Sequence, residues 1–154
     1  MIPIVTTRFN DATWRENVEF REKNHLACVY SVSKKLSETI DYNGVVYVVE
    51  MNNSENQIQG IGLIRNHPLV KRYKVYTDNH WNRYCYIGHY YIARDTMQDD
   101  FLIPLETILF KGKSHLKRGS GMTTLTEKMR RKLDFDIESE IKDMFVTKYK
   151  NTET

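Results

Sequence analysis

The chain is poor in the residues and patterns that mark cross-linked, repetitive or membrane-spanning proteins. Its 154 residues include 2 cysteines, 3 prolines and 7 glycines, and no segment is of low complexity. No uninterrupted apolar run approaches the roughly 18 residues that a membrane-spanning helix needs. The opening MIPIVTTRFNDATW lacks the basic end and the apolar stretch of a secretory signal. We therefore expect a soluble, intracellular protein with no membrane partner.

The spacings of common metal and enzyme motifs are also missing. Cys28 and Cys85 form no Cys-x-x-Cys pair, and the 5 histidines show no His-x-x-x-His spacing. Asp78 and His80 could share a metal ion, but one such pair arises easily by chance. We expect two buried free thiols, no metal site, no cofactor and no enzymatic activity.

The hydrophobic pattern predicts a helix, about five strands and then further helices. The predicted strands cover 25–33, 45–51, 58–66, 71–77 and 83–94, the last with a bend at Gly88. In that last strand we expect either Tyr84 and Tyr86 or Cys85 and Ile87 to face the core, but not both pairs. The predicted helices are one over 10–24 capped by Asn10 or Asp11, a short helix or turn in 97–112, one that begins at the capping-box pattern Thr124-x-x-Glu127, and a last one over 136–150. The last helix has one apolar stripe, formed by Ile137, Ile141, Met144, Phe145 and Tyr149.

This order of elements predicts an α+β protein with a single domain over residues 1–154. We expect a mainly antiparallel sheet that curls into a barrel and is flanked by helices, with a helical extension over about 123–150. In the 58–66 strand, Gly60 and Gly62 leave one face bare, so another group can approach the backbone closely.

The segment LFKGKSHLKRGSGMT, residues 109–123, has the composition of a phosphate-binding loop. A Walker-type loop needs a glycine five residues before its Gly-Lys pair, and that position is Thr107, followed by bulky side chains. A nucleotide triphosphatase is therefore excluded. Glycines, cations and small polar groups still suit a sugar–phosphate backbone. The predicted backbone contacts are Lys111, Lys113, Ser114, His115, Lys117 and Arg118, with Lys71, Arg72 and Arg83 extending the groove.

Aromatic and basic residues alternate between Arg65 and Arg94, as in proteins that stack unpaired bases and hold phosphates. Trp81 lies in the polar turn DNHWN, where a core role is less natural. We expect Trp81, Trp14, Tyr84 and Tyr90 to stack on bases. The preferred partner is single-stranded RNA or DNA.

Two other functions stay open. The basic block over 111–132 precedes an acidic block over 134–143, so the protein could instead dock an acidic protein partner through its basic loop. A metal-dependent nuclease or base-processing enzyme would have to recruit carboxylates from Asp95, Asp99, Asp100 or Glu106.

Three segments, IVTTRFNDATWRENVEF, VVYVVEMNNSENQIQGIGLIRN and FLIPLETILF, resemble in order and character the PUA-like superfamily, in particular its EVE and YTH branches. The resemblance covers residues 2–110 and implies a reader of a modified base held in an aromatic cage beside a basic groove. It implies Trp14 and Trp81 as cage residues and Asn10 or Ser33 as hydrogen-bonding partners of the base. The later stretch, from NRYCYIGHYYIAR through the basic loop, resembles uncharacterised proteins of large double-stranded DNA viruses, which would place the protein in the host cytoplasm or nucleus.

Overall fold

The structure, a computed structural model, describes residues 1–70 and 73–150, which form seven strands and four α-helices. Lys71 and Arg72, two predicted phosphate contacts, lie outside the described residues. The elements are β1 (Ile4–Phe9), α1 (Asp11–Asn24), β2 (Cys28–Val32), β3 (Val45–Asn52), β4 (Gln57–Arg65), β5 (Tyr84–Gly88), β6 (Tyr90–Ala93), α2 (Asp99–Phe110), β7 (Thr123–Thr124), α3 (Glu127–Arg130) and α4 (Ile137–Tyr149), with short 3₁₀ turns at Asn79–Asn82 and Arg94–Thr96.

The strands form one sheet of five, in the order β6-β4-β3-β1-β7, and a second sheet of two, β2-β5. Of the strand pairs in the described chain, β1 with β3 is parallel and the other four are antiparallel. The α+β class expected from the sequence is therefore confirmed.

Alternation along the strands gives the larger sheet two buried faces. On one face, residues such as Ile4 and Val49 pack against α2, α3 and α4. On the other face, Val5 and Val48 pack against β2, β5 and aromatic residues of α1. The last helix buries Ile137, Ile141 and Phe145, the stripe that its sequence predicts. The central strands carry a nearly continuous apolar run because both of their faces are covered.

A buried ion pair crosses the second of these faces. Glu50 on β3 is fully buried, and its carboxylate accepts a hydrogen bond of 2.5 Å from the guanidinium of Arg21 on α1. It also accepts hydrogen bonds from the hydroxyls of Tyr30 on β2, at 2.7 Å, and Tyr91 on β6, at 2.6 Å. The rings of Tyr30, Tyr91 and Trp14 surround the Arg21 guanidinium at 4.9–5.7 Å. The two charges thus pair with each other and contact polar groups and aromatic rings, although Arg21 Nε has no hydrogen-bonding partner among the described residues.

The two glycines of β4 make room for these hydroxyls. A Cβ at Gly60 would lie 2.1 Å from the Tyr91 hydroxyl oxygen, and one at Gly62 would lie 2.1 Å from that of Tyr30. The close approach expected at this strand is therefore made by the tyrosines that hold Glu50. Any side chain at either glycine would displace them.

Four local expectations were wrong. Residues 73–77 are not in a strand, because the amides of Val75 and Tyr76 donate to Asn82 Oδ1 at 3.1 and 2.9 Å instead of to a neighbouring strand. The predicted 83–94 strand is two strands in different sheets, which separate just after Gly88, where a Cβ would lie 2.2 Å from the carbonyl oxygen of Leu63.

The other two concern where α3 begins and how long α2 is. Thr124 pairs with Val5 in β7, and the cap of α3 is Thr126, whose hydroxyl accepts from the amide of Met129. The expected short helix or turn in 97–112 is a full helix of 12 residues, α2, which tolerates Pro104 by giving up the bond that its nitrogen would donate to the carbonyl of Asp100.

Removing one partner of the buried pair should destabilise the protein strongly. We expect Arg21→Met to lower the free energy of unfolding by about 3–5 kcal/mol, because Glu50 then keeps a buried charge without a cation. The double variant Arg21→Met, Glu50→Gln leaves no buried charge and should lose less. Urea denaturation followed by circular dichroism measures both. A double variant less stable than Arg21→Met alone would contradict this assignment.

The two free cysteines should be unreactive in the folded protein. Both are buried, and desolvation raises the pKa of Cys28 from 9.0 to about 12 and that of Cys85 to about 11. Thiolate is therefore scarce between pH 7 and 9 in the folded chain but not in the unfolded chain. We expect labelling by a thiol-specific disulfide reagent to be slow in that range and to become fast in urea. Rapid labelling of the native protein at pH 8 would show that the thiols are accessible.

Candidate functional site

A pocket of about 290 Å³ opens where the end of β1, the start of α1, β2, the Asn79–Asn82 turn and the loop before β7 meet. Its walls are formed by Thr7, Arg8, Phe9, Asn10, Thr13, Tyr30, Ser31, Val32, Asn53, Tyr76, Trp81, Gly119, Ser120 and Gly121. One side is aromatic, and the other sides carry hydroxyl, amide, guanidinium and backbone groups. No carboxylate belongs to these walls, so the pocket carries net positive charge.

The aromatic side is held by the side chain of Asn82. Besides accepting from the amides of Val75 and Tyr76, Asn82 donates to the carbonyl of Tyr76 at 2.7 Å. These bonds tie the Tyr76 segment to the turn that carries Trp81. Trp81 is 37% exposed and meets His80 edge to face at 4.8 Å, so its ring is partly open to solvent. An aromatic residue in that position can stack on a flat ligand.

Arg8 attaches the glycine-containing loop to the opposite side of the pocket. Its Nη1 donates to Thr6 Oγ1 and to the carbonyl of Leu116, both at 3.1 Å. Its Nη2 donates to the carbonyl of Gly121 at 2.5 Å and to Thr123 Oγ1 at 2.9 Å. The loop from Leu116 to Thr123 is therefore folded around one guanidinium.

Arg8 differs from Arg21 in how its charge is compensated. Among the residues that the structure describes, no carboxylate lies within 4 Å of its guanidinium, in contrast to Arg21. Burial lowers the pKa of Arg8 to about 10, which leaves it protonated at neutral pH. A partly buried cation that binds only neutral oxygens attracts an anionic or electron-rich ligand.

Two buried polar atoms of the pocket walls have no hydrogen-bonding partner among the described residues. They are Ser31 Oγ and Asn53 Oδ1. The orientation of the Asn53 amide follows from its other end, because Nδ2 donates to the carbonyl of Lys117 at 2.9 Å. Leaving such atoms unpaired costs about 1–3 kcal/mol each, and a polar ligand in the pocket is one way to pair them.

The predicted base-binding residues do not all lie in this pocket. Trp81 and Asn10 line it, although the Asn10 carboxamide also caps α1 by accepting from the amide of Thr13 at 2.8 Å. Trp14 lies behind the wall, with its ring edge to face with Phe9 at 5.1 Å. Ser33 is buried just outside the pocket lining.

The two predicted tyrosines lie elsewhere. Tyr90 packs edge to face on Tyr149 at 4.8 Å, beside α4. Tyr84 is half-buried on β5 between Lys35 and Arg83. The expectation that only one set of alternating β5 residues faces the core was wrong, because the adjacent residues Cys85 and Tyr86 are both buried.

The predicted phosphate contacts of the basic loop lie beside the pocket and outside its walls. Lys111, Lys113, Ser114 and Arg118 are exposed. His115 and Lys117 are half-buried: His115 Nδ1 accepts from the amide of Lys117 at 3.2 Å, and Lys117 Nζ donates to Asn56 Oδ1 at 2.5 Å. The same loop enters the pocket two residues after Lys117, at Gly119–Gly121.

Arg8, Ser31 and Asn53 were missed in the sequence. The available signal was the polar run Thr6-Thr7-Arg8 inside an otherwise apolar strand, whose burial the structure shows for both threonines. Ser31 and Asn53 carried no such signal, because their missing partners are a property of the folded chain.

No group of three or more histidine, cysteine, aspartate or glutamate side chains in the described ranges is arranged to hold a metal ion. The Asp78 carboxylate accepts from the amide of His80 at 3.0 Å, which is a helix-capping contact. None of the helices in 1–70 and 73–150 has the length and apolar character to cross a bilayer. Comparison with protein-family models, curated proteins and solved structures finds no match to this chain.

Replacing the unpaired serine should stabilise the protein. We expect Ser31→Ala to raise the free energy of unfolding by about 1 kcal/mol, because it removes a buried hydroxyl without a partner. Thr6→Val is the matched control, since the buried Thr6 hydroxyl donates to the carbonyl of Thr123 and accepts from Arg8. The control should lose stability. Urea denaturation measures both variants, and a destabilised Ser31→Ala would mean that the hydroxyl has a partner.

Proposed function

We propose that the protein binds single-stranded nucleic acid, RNA or DNA, and holds one unstacked base, modified or flipped, in this pocket. The observation that carries the proposal is the convergence of Trp81, the uncompensated Arg8 and the Gly119–Gly121 loop on a cavity with two unpaired polar atoms. Each of these features has a counterpart in a nucleotide, which combines a flat aromatic ring, hydrogen-bonding edges and a negative charge.

The size and shape of the pocket suit a single base. Its volume of about 290 Å³ lies just below the range of about 300 to 1,000 Å³ that is usual for drug-sized molecules. Trp81 offers a partly exposed ring for stacking, and Asn53 Oδ1 accepts only from a donor such as a ring N–H or an exocyclic amine. A flat, polar-edged ring uses both features.

The electrostatics favour an anionic ligand. Arg8 supplies a protonated guanidinium without a carboxylate partner in the described chain, and the exposed cations of the basic loop lie beside it. The predicted contacts Lys111, Lys113 and Arg118 would extend the backbone path away from the pocket.

We extend the proposal to a curled, PUA-like barrel, with the EVE and YTH readers as the functional comparison. On this view the protein is a non-enzymatic reader. A protein of a large DNA virus with this function would work in the host cytoplasm or nucleus.

Trp81 should be the aromatic residue on which binding depends most. We expect Trp81→Ala to weaken binding of a fluorescein-labelled single-stranded 10-mer by about 5- to 150-fold, the loss that corresponds to one stacked base at 1–3 kcal/mol. Tyr90→Ala is the matched control, since Tyr90 is also exposed but lies beside α4, outside the pocket. Fluorescence anisotropy against RNA and DNA 10-mers, with and without a methylated base, measures affinity and base preference together.

Equal losses for Trp81→Ala and Tyr90→Ala would overturn the assignment of the base to the pocket. Absence of binding to every oligonucleotide at low salt would overturn the function itself. If the basic loop instead bound a polyglutamate peptide, with binding lost on changing Lys117 and Arg118 to alanine, the protein would be an interaction module for an acidic partner. Metal-stimulated cleavage of the oligonucleotide would show an enzyme.

A further inference from the structure

A second cluster of cations lies one strand away from the pocket. The ammonium of Lys35 is 5.5 Å from the centre of the Tyr84 ring, and the guanidinium carbon of Arg83 is 5.6 Å from the same centre. Lys35 and Arg83 are both exposed, whereas Tyr84 is half-buried. The ring therefore gathers two flexible cations at one place through cation–π attraction.

Neither cation has a counter-ion in the described ranges. Within the part of the chain that the structure describes, no carboxylate lies within 4 Å of Lys35 or Arg83, and neither side chain makes a hydrogen bond to the protein. Two like charges gathered around one ring repel each other, and an anion that contacts both relieves this repulsion. The cluster thus carries two positive charges that an anionic ligand could compensate.

The backbone around the cluster is fixed. The amide of Leu36 donates to the Tyr86 hydroxyl at 3.1 Å, and the Leu36 side chain is buried. This contact attaches the segment that follows β2 to the strand that carries Tyr84. The position of Lys35 relative to Tyr84 is therefore set by the core.

The cluster adjoins the base pocket directly. Val32, which lines the pocket, is the register partner of Tyr84 in the β2–β5 pair, and residues opposite each other across antiparallel strands lie about 4.5–5.5 Å apart on the same face. Lys34 lies on the other side of the pocket rim, next to the glycine loop. A Cβ added at Gly121 would lie 3.7 Å from the Cβ of Lys34. Lys34 and Lys35 thus lead from the glycine loop to Tyr84.

We propose that Lys35 and Arg83, gathered by Tyr84, bind the backbone phosphate of the nucleotide that neighbours the one in the pocket. This inference rests on the proposed function and adds a second subsite to it. Tyr84 then acts by positioning the two cations and is not the stacking residue that its sequence context suggests. The smallest ligand that fills both subsites is a dinucleotide, so a free nucleoside would occupy only the pocket.

The test is the salt dependence of binding. For a single strand, the slope of log K against log salt falls by about 0.7 for each phosphate contact that is lost. We expect Lys35→Gln, Arg83→Gln to reduce the magnitude of the slope for a labelled single-stranded 10-mer by about 0.7, measured by anisotropy between 50 and 300 mM NaCl. Tyr84→Leu should also reduce the affinity for the 10-mer, because without the ring the two cations are no longer held together.

The matched control is Lys128→Gln, Lys132→Gln, which makes the same change in net charge on exposed residues of the α3 segment. The control should leave the slope near that of the unchanged protein. Circular dichroism and urea denaturation establish that each variant is folded.

The outcomes separate the two proposals. If both double variants change the slope equally, or neither does, while Trp81→Ala still weakens binding, the phosphate subsite is wrong and the base pocket stands. If the unchanged protein does not bind the 10-mer at low salt, both proposals fail. If Lys35→Gln, Arg83→Gln abolishes binding of polyglutamate and leaves the 10-mer unaffected, the cluster is a contact for an acidic protein.

Discussion

The ion pair between Arg21 and Glu50 is the interaction on which the packing of α1, β2 and β5 against the larger sheet depends. It joins α1 to the central strand β3, and the two tyrosine hydroxyls that bind Glu50 come from β2 and β6. Four elements from both sheets and the first helix therefore meet at one carboxylate. Tyr30 belongs to this cluster and also to the wall of the pocket, so the buried ion pair and the pocket share one side chain.

The two arginines of this region differ in how their charges are compensated. Arg21 faces a carboxylate and aromatic rings, so its charge is compensated inside the protein. Among the described residues, Arg8 binds only carbonyl and hydroxyl oxygens, so its positive potential extends into the pocket. Together with Ser31 and Asn53, it leaves the pocket with an excess of both charge and hydrogen-bonding capacity.

Much of the architecture could be predicted from local patterns, whereas the site depended on contacts between distant residues. Three features could be predicted because each depends on neighbours in the sequence. They are the Asn10 cap, the apolar stripe of the last helix and the bare glycine face of β4. The strand predicted over 71–77 failed because a side chain, Asn82, takes the amides that a ladder would need. Arg8 was missed because its role depends on the absence of a carboxylate, which no local pattern reveals. Trp81, noticed as an aromatic ring in a polar turn, lies in the pocket wall, and its stacking on a base stays a prediction.

The hydrogen bonds of Arg8 have a consequence for how the pocket fills and empties. All four N–H groups on its two terminal nitrogens are already engaged, two with the Leu116–Thr123 backbone and two with threonine hydroxyls. A ligand oxygen can therefore gain a bond from these nitrogens only when the protein gives one up. Such a bond would replace one of the contacts that fold the Leu116–Thr123 loop around Arg8.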